Sequence, residues 1–192
     1  GLDEEVDVHI VTASRSHLNN ILKAINASGF QVTEPIYGLL AAGEVVVTQE
    51  ERDLGCLLLD IGGQTTDIAV YFDGSVHFTD KLPLGADAIT RDLAYGLRTS
   101  LSQAQQIKEN HGVAMASLLE QNESEVSFTA MDGRTFRKVS RRSLIDIIEP
   151  RVEEIFAMVS EKLHDSGYAD RVVPGGVILT GGGSLLKGIE QA

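Results

Sequence analysis

The sequence predicts a mixed α/β fold in which a small α+β lobe is inserted into a larger one, and three observations carry that reading. Residues 57–81 hold three apolar segments separated by glycine turns, the pattern of a strand meander. Residues 100–149 change texture, becoming more polar, with a helix, an acidic loop and a hairpin signal. A long amphipathic stretch, the apolar run 177–179 and the turn Gly181-Gly182-Gly183 then complete the unit that the meander began.

Each element has its own signal. Residues 8–11 read as a short strand. Leu18, Ile21, Leu22 and Ile25 recur at helical spacing, predicting a helix with one buried face closed by Gly29. Thr33-Glu34-Pro35 restarts the chain, and 39–46 makes a second helix whose Ala41, Ala42 and Gly43 permit close packing. Residues 48–53 read as a polar connector. The continuous apolar run 57–61 suits a strand buried on both faces. Gly62-Gly63-Gln64-Thr65 turns it, 66–72 returns, Asp73-Gly74 turns again and 75–81 runs back. A helix spans 88–97, and Ser102 to Gln105 fits a capping box opening another that ends at His111-Gly112. Met131-Asp132-Gly133 joins strands 126–130 and 135–139. Ser140 caps a helix through Leu144, Ile147 and Ile148; Pro150 either kinks it or starts a second one, with Val152, Ile155, Phe156, Val159 and Leu163 on one face.

Charge and composition narrow the function classes. The 192 residues suit one ordinary domain or two small lobes. With 28 acidic and 16 basic side chains, the formal charge is −12. The chain therefore lacks the basic face that non-specific nucleic-acid binding needs, and anionic lipid would repel it. No apolar run reaches the roughly 18 residues of a membrane span. Cys56 is the single cysteine, which excludes an internal disulfide, favours a reducing, cytoplasmic setting and reads as core filler. The five histidines are scattered without metal-ligand spacing. Gly1-Leu2 reads as a cut end.

Three motifs carry chemistry. In Asp60-Ile61-Gly62-Gly63-Gln64-Thr65-Thr66-Asp67, adjacent glycines let backbone N–H groups approach an anion, and Thr65 adds a hydroxyl. Asp60, at the strand end, either holds a metal through water, orients an attacking water, or bonds its own turn. The strand with Thr180-Gly181-Gly182-Gly183-Ser184, leading into a helix N-terminus, suits a phosphate, a ribose or a base edge, or is a plain glycine connection. Gln105 and Lys108 lie one helical turn apart on one face; their plain readings are a cap and a solvated lysine.

In this order the segments resemble the second half of the actin-like (ribonuclease H-like) ATPase fold, with Thr33-Glu34-Pro35 and Glu149-Pro150 similar to its hinges. Within that superfamily the chain is most similar to the FtsA family of bacterial cell-division proteins. The matching residues are 8–12, 55–71, 89–94, 104–108 with His111-Gly112, 148–155 and 176–183. The resemblance implies a division into residues 1–51, the end of the first domain and hinge; 52–99 with 150–192, the large second-domain lobe; and 100–149, the inserted small lobe. It also implies an ATP and Mg site. Gly62, Gly63, Gln64 and Thr65 would form the second phosphate loop, with Asp60 near the metal and Gly85 a further phosphate-side contact. Gly181, Gly182, Gly183 and Leu185 would lie along the adenosine, and Gln105 and Lys108 would approach the ribose and base.

The sequence departs from the family in places. Ala86 stands where a second glycine is usual, and Gln105 where Glu is usual. The first phosphate loop is missing, since Asp53-Leu54-Gly55 is followed by Cys56 and Leu57 without a hydroxyl. The family's first-half lobe and its C-terminal amphipathic membrane helix are missing too. By resemblance, the protein polymerises, grips the FtsZ C-terminal tail and links the division ring to the inner face of the cytoplasmic membrane as an adaptor rather than a metabolic enzyme. A tail with acidic side chains needs cationic donors, and Arg134, Arg137, Lys138, Arg141 and Arg142 form the densest basic cluster, with Arg151 extending it if the helix runs straight through Pro150. The rivals are a pilus-assembly actin-like adaptor and a phosphotransferase of the sugar-kinase branch.

Overall fold

The computed structural model describes residues 8–119, 125–172 and 174–192, so the core of the expected acidic loop, 120–124, lies outside the described residues. A four-stranded sheet of order β3-β2-β1-β6 organises the larger lobe. Its strands are β1 (Cys56–Ile61), β2 (Thr66–Phe72), β3 (Ser75–Leu82) and β6 (Val177–Thr180). The first three pair antiparallel as the expected meander, while β6 returns parallel to β1 with Asp60 opposite Thr180.

Strand β1 is buried on both faces, and its alternate residues feed two cores. Leu57, Leu59 and Ile61 pack with Leu93 of α4 (Asp87–Leu97), Ile107 of α5 (Leu101–His111) and Ile148, Val152 and Val159 of α6 (Arg141–Ser166). Cys56 and Leu58 face the other way, against Leu39 of α2 (Gly38–Val46) and Tyr71. Cys56 is fully buried, as its core-filler role requires, and burial pushes its thiol pKa up to about 11. The small residues of α2 act as expected: a Cβ on Gly43 would lie 2.2 Å from the Tyr71 hydroxyl.

The small lobe pairs β4 (Glu125–Thr129) with β5 (Phe136–Ser140), Val126 opposite Val139. Val126 and Phe128 bury their side chains in the larger core. Two bonds tie the hairpin to the end of α4: the buried Thr99 hydroxyl donates to Thr129 O at 2.6 Å, and Met131 N to Arg98 O at 3.1 Å.

Five local expectations change. Residues 8–11 form no strand, because none of the described residues pairs with them in a ladder; among the described residues His9 Nε2 bonds the Thr79 hydroxyl. Helix α1 (Arg15–Ala27) forms, yet none of its residues is buried and Ile21 is 58% exposed, because no element among the described residues covers its apolar face. The expected connector is a helix, α3 (Gln49–Leu54), opened by a capping box in which Thr48 and Glu51 bond each other's backbone. Helix α5 is capped by Ser100 rather than Ser102, which releases Gln105 from any capping role. Helix α6 runs unbroken through Pro150, crossing the expected lobe boundary; burial of Ile148 and Val152 on either side holds it together despite the lost backbone bond.

Candidate functional site

The strand ends of β1 and β6 converge with the N-terminal end of α4 and one face of α5. The turn 62–65 after β1 is closed by Gly62 N donating to Thr65 O at 2.9 Å. It is then pinned from outside: Ala86 N donates to Gly62 O at 2.9 Å and Asp87 N to Gly63 O at 2.8 Å. The Thr66 hydroxyl reaches Leu84 O at 2.9 Å, fixing the connection that enters α4. This packing explains why residue 85 is glycine, since a Cβ there would stand 2.5 Å from Gly62 O. Gly85, expected as a phosphate-side contact, is thus required first by the turn it leans on. Ala86 makes its contact through backbone alone, so a methyl is tolerated where a second glycine is usual.

The second glycine turn packs against the first strand. Gly181 has φ +83° and ψ 169°, a conformation essentially closed to other residues, and a Cβ on it would lie 2.3 Å from Asp60 Oδ1. The expected helix after it is only a 3-10 turn, Gly182–Leu185, closed by the Ser184 hydroxyl on Gly181 O. Four residues create little helix dipole, so any ligand here would meet glycine backbone rather than a helix end.

These elements enclose a cavity of about 580 Å³ lined by Gly63, Gln105, Lys108, Gly182, Gly183 and Leu185 among others. Six residues expected at the nucleotide therefore share one cavity, with Leu185 standing 85% exposed at its rim. Gly62, Gln64 and Thr65 belong to the same turn as Gly63, and Asp60 and Gly181 lie behind it, side by side. A second cavity, of about 460 Å³, lies beside β6 and α6, is lined mostly by Leu, Val and Phe side chains and holds none of these residues.

Gln105 and Lys108 are neither a cap nor a solvated lysine. Thr90 donates to Gln105 Oε1 at 2.6 Å, and Gln105 Nε2 donates to Glu109 Oε1 at 2.5 Å, which orients the amide. Lys108 is buried and donates from Nζ to Ala86 O at 3.1 Å. Burial lowers its pKa, opposed by the nearby carboxylates of Asp87 and Glu109. Asp87 and Glu109 line the cavity as well and were missed in the sequence, where each reads as one acid among 28.

Asp60 accepts no hydrogen bond or ion pair from the described residues, whereas its register partner Asp67 takes Lys81 Nζ at 2.9 Å and the Tyr37 hydroxyl at 3.5 Å. Desolvation, with the Asp67 charge second, pushes the Tyr37 phenol up to about 12.

The basic cluster is divided by its partners. Lys138 pairs with Glu125 at 2.9 Å and Arg142 with Asp146 at 3.0 Å, both exposed. Arg151 is clamped by Asp92 at 2.7 Å and by Glu154, so it does not extend a free basic face. Arg134 and Arg137 stay on the exposed hairpin without an ion pair among the described residues, while Arg141 turns toward the cavity.

The family model described as "Cell division protein FtsA" matches residues 57–192. A cell division protein FtsA from Neisseria meningitidis is 39% identical over 191 residues, covering all of this chain and 46% of that protein. One from Pseudomonas aeruginosa is 37% identical over 191 residues, again all of this chain and 45% of that protein. The chain thus spans about half the length of these relatives. Among solved structures, MreB5 of Spiroplasma citri bound to ADP superposes with a TM-score of 0.77 at 18% identity, over 93% of this chain and 57% of that one, and shows the same actin-like fold. A chain matched from β1 to its last residue by one family model, and by relatives over its whole length, belongs to the FtsA family of actin-like cell-division proteins.

Proposed function

We propose that this chain forms the second-domain half of an ATP site in a protein that assembles into actin-like filaments and couples the FtsZ ring to the inner face of the cytoplasmic membrane. The observation that carries this reading is the shared cavity: two glycine turns from different strands meet the Gln105–Lys108 face of α5. In a chain of formal charge −12, the cavity carries three cations (Lys108, Arg141, Lys187) against two carboxylates (Asp87, Glu109), a local excess suited to phosphate.

The residues present suit magnesium held by nucleotide. No cluster of three or more ligating side chains occurs among the described residues, and Mg keeps waters and substrate phosphates as most of its ligands. Asp60, without a partner of its own, is the carboxylate that would hold such an ion through water. The metal would neutralise phosphate charge, and Asp60 would orient an attacking water. Glycine N–H groups of the 62–65 turn, with the Thr65 hydroxyl, would bind the phosphates. Gly181 to Leu185 would lie along the adenosine, and Gln105 and Lys108 would hold the ribose and base.

The tail of FtsZ is assigned to the hairpin, with Arg137, which has no ion pair among the described residues, and Lys138 and Arg142 beside it, because exposed ion pairs of their kind exchange partners at little expense. Self-association and membrane attachment rest on family membership; no helix of the described residues is long and apolar enough to cross a membrane.

Two measurements on the full-length protein test this. A Cβ on Gly182 meets nothing within 4 Å, so Gly182→Trp sets a large side chain at the cavity wall from an unobstructed first carbon. It should abolish binding of a fluorescent ATP analogue while leaving the melting curve in place; undiminished binding places the nucleotide elsewhere. For the partner, Arg137→Glu with Lys138→Glu should weaken an FtsZ tail peptide at least tenfold in fluorescence anisotropy, and salt should weaken the wild type. Equal affinity of mutant and wild type refutes the hairpin assignment.

A further inference from the structure

Among the described side chains that line the cavity, Arg141 is the one with a buried polar atom left without a partner. It lines the same wall as Gln105, Lys108 and Glu109, although in sequence it belongs to the basic hairpin cluster. It makes no ion pair and no hydrogen bond with the described residues, and its Nε is buried without a partner. Its neighbours differ in this respect: Lys138, Arg142 and Arg151 hold carboxylates, and Lys108 holds Ala86 O. A buried guanidinium N–H with no acceptor is unfavourable, and unmet groups of this kind are rare enough to need a cause. Position adds a second penalty. Arg141 is the first residue of the 26-residue helix α6, whose N-terminal end is positive and disfavours a cation. Both penalties are eased when an acceptor-rich or anionic group in the cavity draws the guanidinium into a hydrogen bond.

We propose that Arg141 is a nucleotide-contacting residue, donating its guanidinium to acceptor atoms of the bound nucleotide from the small-lobe wall. This rests on the ATP site proposed above. Guanidinium can only donate, so its targets are phosphate oxygens or the acceptors of the nucleoside, and its planar fork suits either better than an ammonium would.

The test uses the full-length protein, a fluorescent ATP analogue, and competition by ATP and by adenosine. Arg141→Ala should weaken ATP at least tenfold, and Arg141→Lys should fall between it and wild type. Arg91→Ala, which removes an exposed cation from α4, should bind as wild type does. Without nucleotide, Arg141→Ala should melt no lower than wild type, since it removes an unmet donor; a structural role would lower that melt. Adenosine weakened as much as ATP assigns the contact to the nucleoside, and adenosine unaffected assigns it to the phosphates. Arg141→Ala binding ATP like wild type, while Gly182→Trp loses it, overturns the role of Arg141 and spares the cavity. A wild type that binds no nucleotide, or a Gly182→Trp that binds normally, overturns both.

Discussion

The two walls of the cavity are made of different material. The large lobe contributes mostly backbone, turn 62–65 and turn 181–183, each fixed by main-chain contacts at distances only glycine allows, with Asp87 and Lys187 as its charged side chains. The small lobe contributes side chains, Gln105, Lys108, Glu109 and Arg141, held by hydrogen bonds, burial and charge. A backbone wall has one shape and loses it together with the fold. A side-chain wall can lose ligand affinity while the fold stands, and it responds to pH. Substitutions should therefore separate the lobes by which quantity they move.

The largest effect belongs to the backbone wall. Gly181→Ala must accept a strained conformation and also push Asp60 aside, so we expect a loss of about 2–4 kcal/mol in urea denaturation. Gly85→Ala, which strikes Gly62 O, should follow with about 1–3 kcal/mol and a matching loss of nucleotide binding. Either variant keeping wild-type stability would mean that the turn yields easily, and the contrast between the walls would fail.

An intermediate effect is expected at Lys108, with the opposite signature. Lys108→Met keeps the aliphatic bulk and removes a buried charge, and Ala86 O still accepts from Thr90 N. Stability should change by no more than about 1 kcal/mol while ATP affinity falls about tenfold or more. The pH dependence has a definite sign. Burial lowers the folded-state pKa, so the unfolded chain binds this proton more tightly. Wild-type stability should gain a contribution as pH rises from the lowered value toward the ordinary 10.5, and the Met variant should lack it. Parallel stability–pH curves for the two proteins would show that Lys108 is not desolvated.

What could be read from sequence follows the same division. The meander, the existence of β6 and both glycine turns were legible, because strands buried on two faces and glycines in turns leave local patterns; that β6 returns parallel to β1 came only from the fold. Six of the residues expected at the nucleotide do line one cavity. The helical spacing of α1 was legible too, yet its burial was not, since periodicity reports a face and says nothing of what covers it. The side-chain wall was least legible. Arg141 reads as part of a basic run, and only the fold turns it from the hairpin toward the cavity, while Arg151, ten positions on, is captured by Asp92 from α4. Asp87 and Glu109 carry no local signal, because an acid becomes a cavity residue only through the packing of α4 on α5.

The smallest effect tests whether the small lobe's dependence on side chains extends beyond the cavity. Beside the backbone bonds from Ala130 N to Thr135 O and Gly133 N to Ala130 O, one carboxylate ties the turn joining β4 to β5: Asp132 Oδ1 accepts from Arg134 N at 2.9 Å and Thr135 N at 2.8 Å, and Oδ2 from the Thr135 hydroxyl at 2.5 Å. These bonds favour the charged form, the Thr135 hydroxyl most of all, and lower the Asp132 pKa from 3.8 to about 2. A depressed folded-state pKa means that the contribution is present above 3.8 and is lost as pH falls through about 2. The group is fully exposed, so global stability should barely move and the change should stay local. In an NMR titration the Arg134 and Thr135 amides should shift with a midpoint near 2, while the Gly62 amide, bonded to Thr65 O, should not follow that titration. Asp132→Asn should abolish the titration. A midpoint for Asp132 at the ordinary 3.8 would show that its carboxylate does not hold the turn, and the hairpin would then belong with the backbone-made half of the molecule.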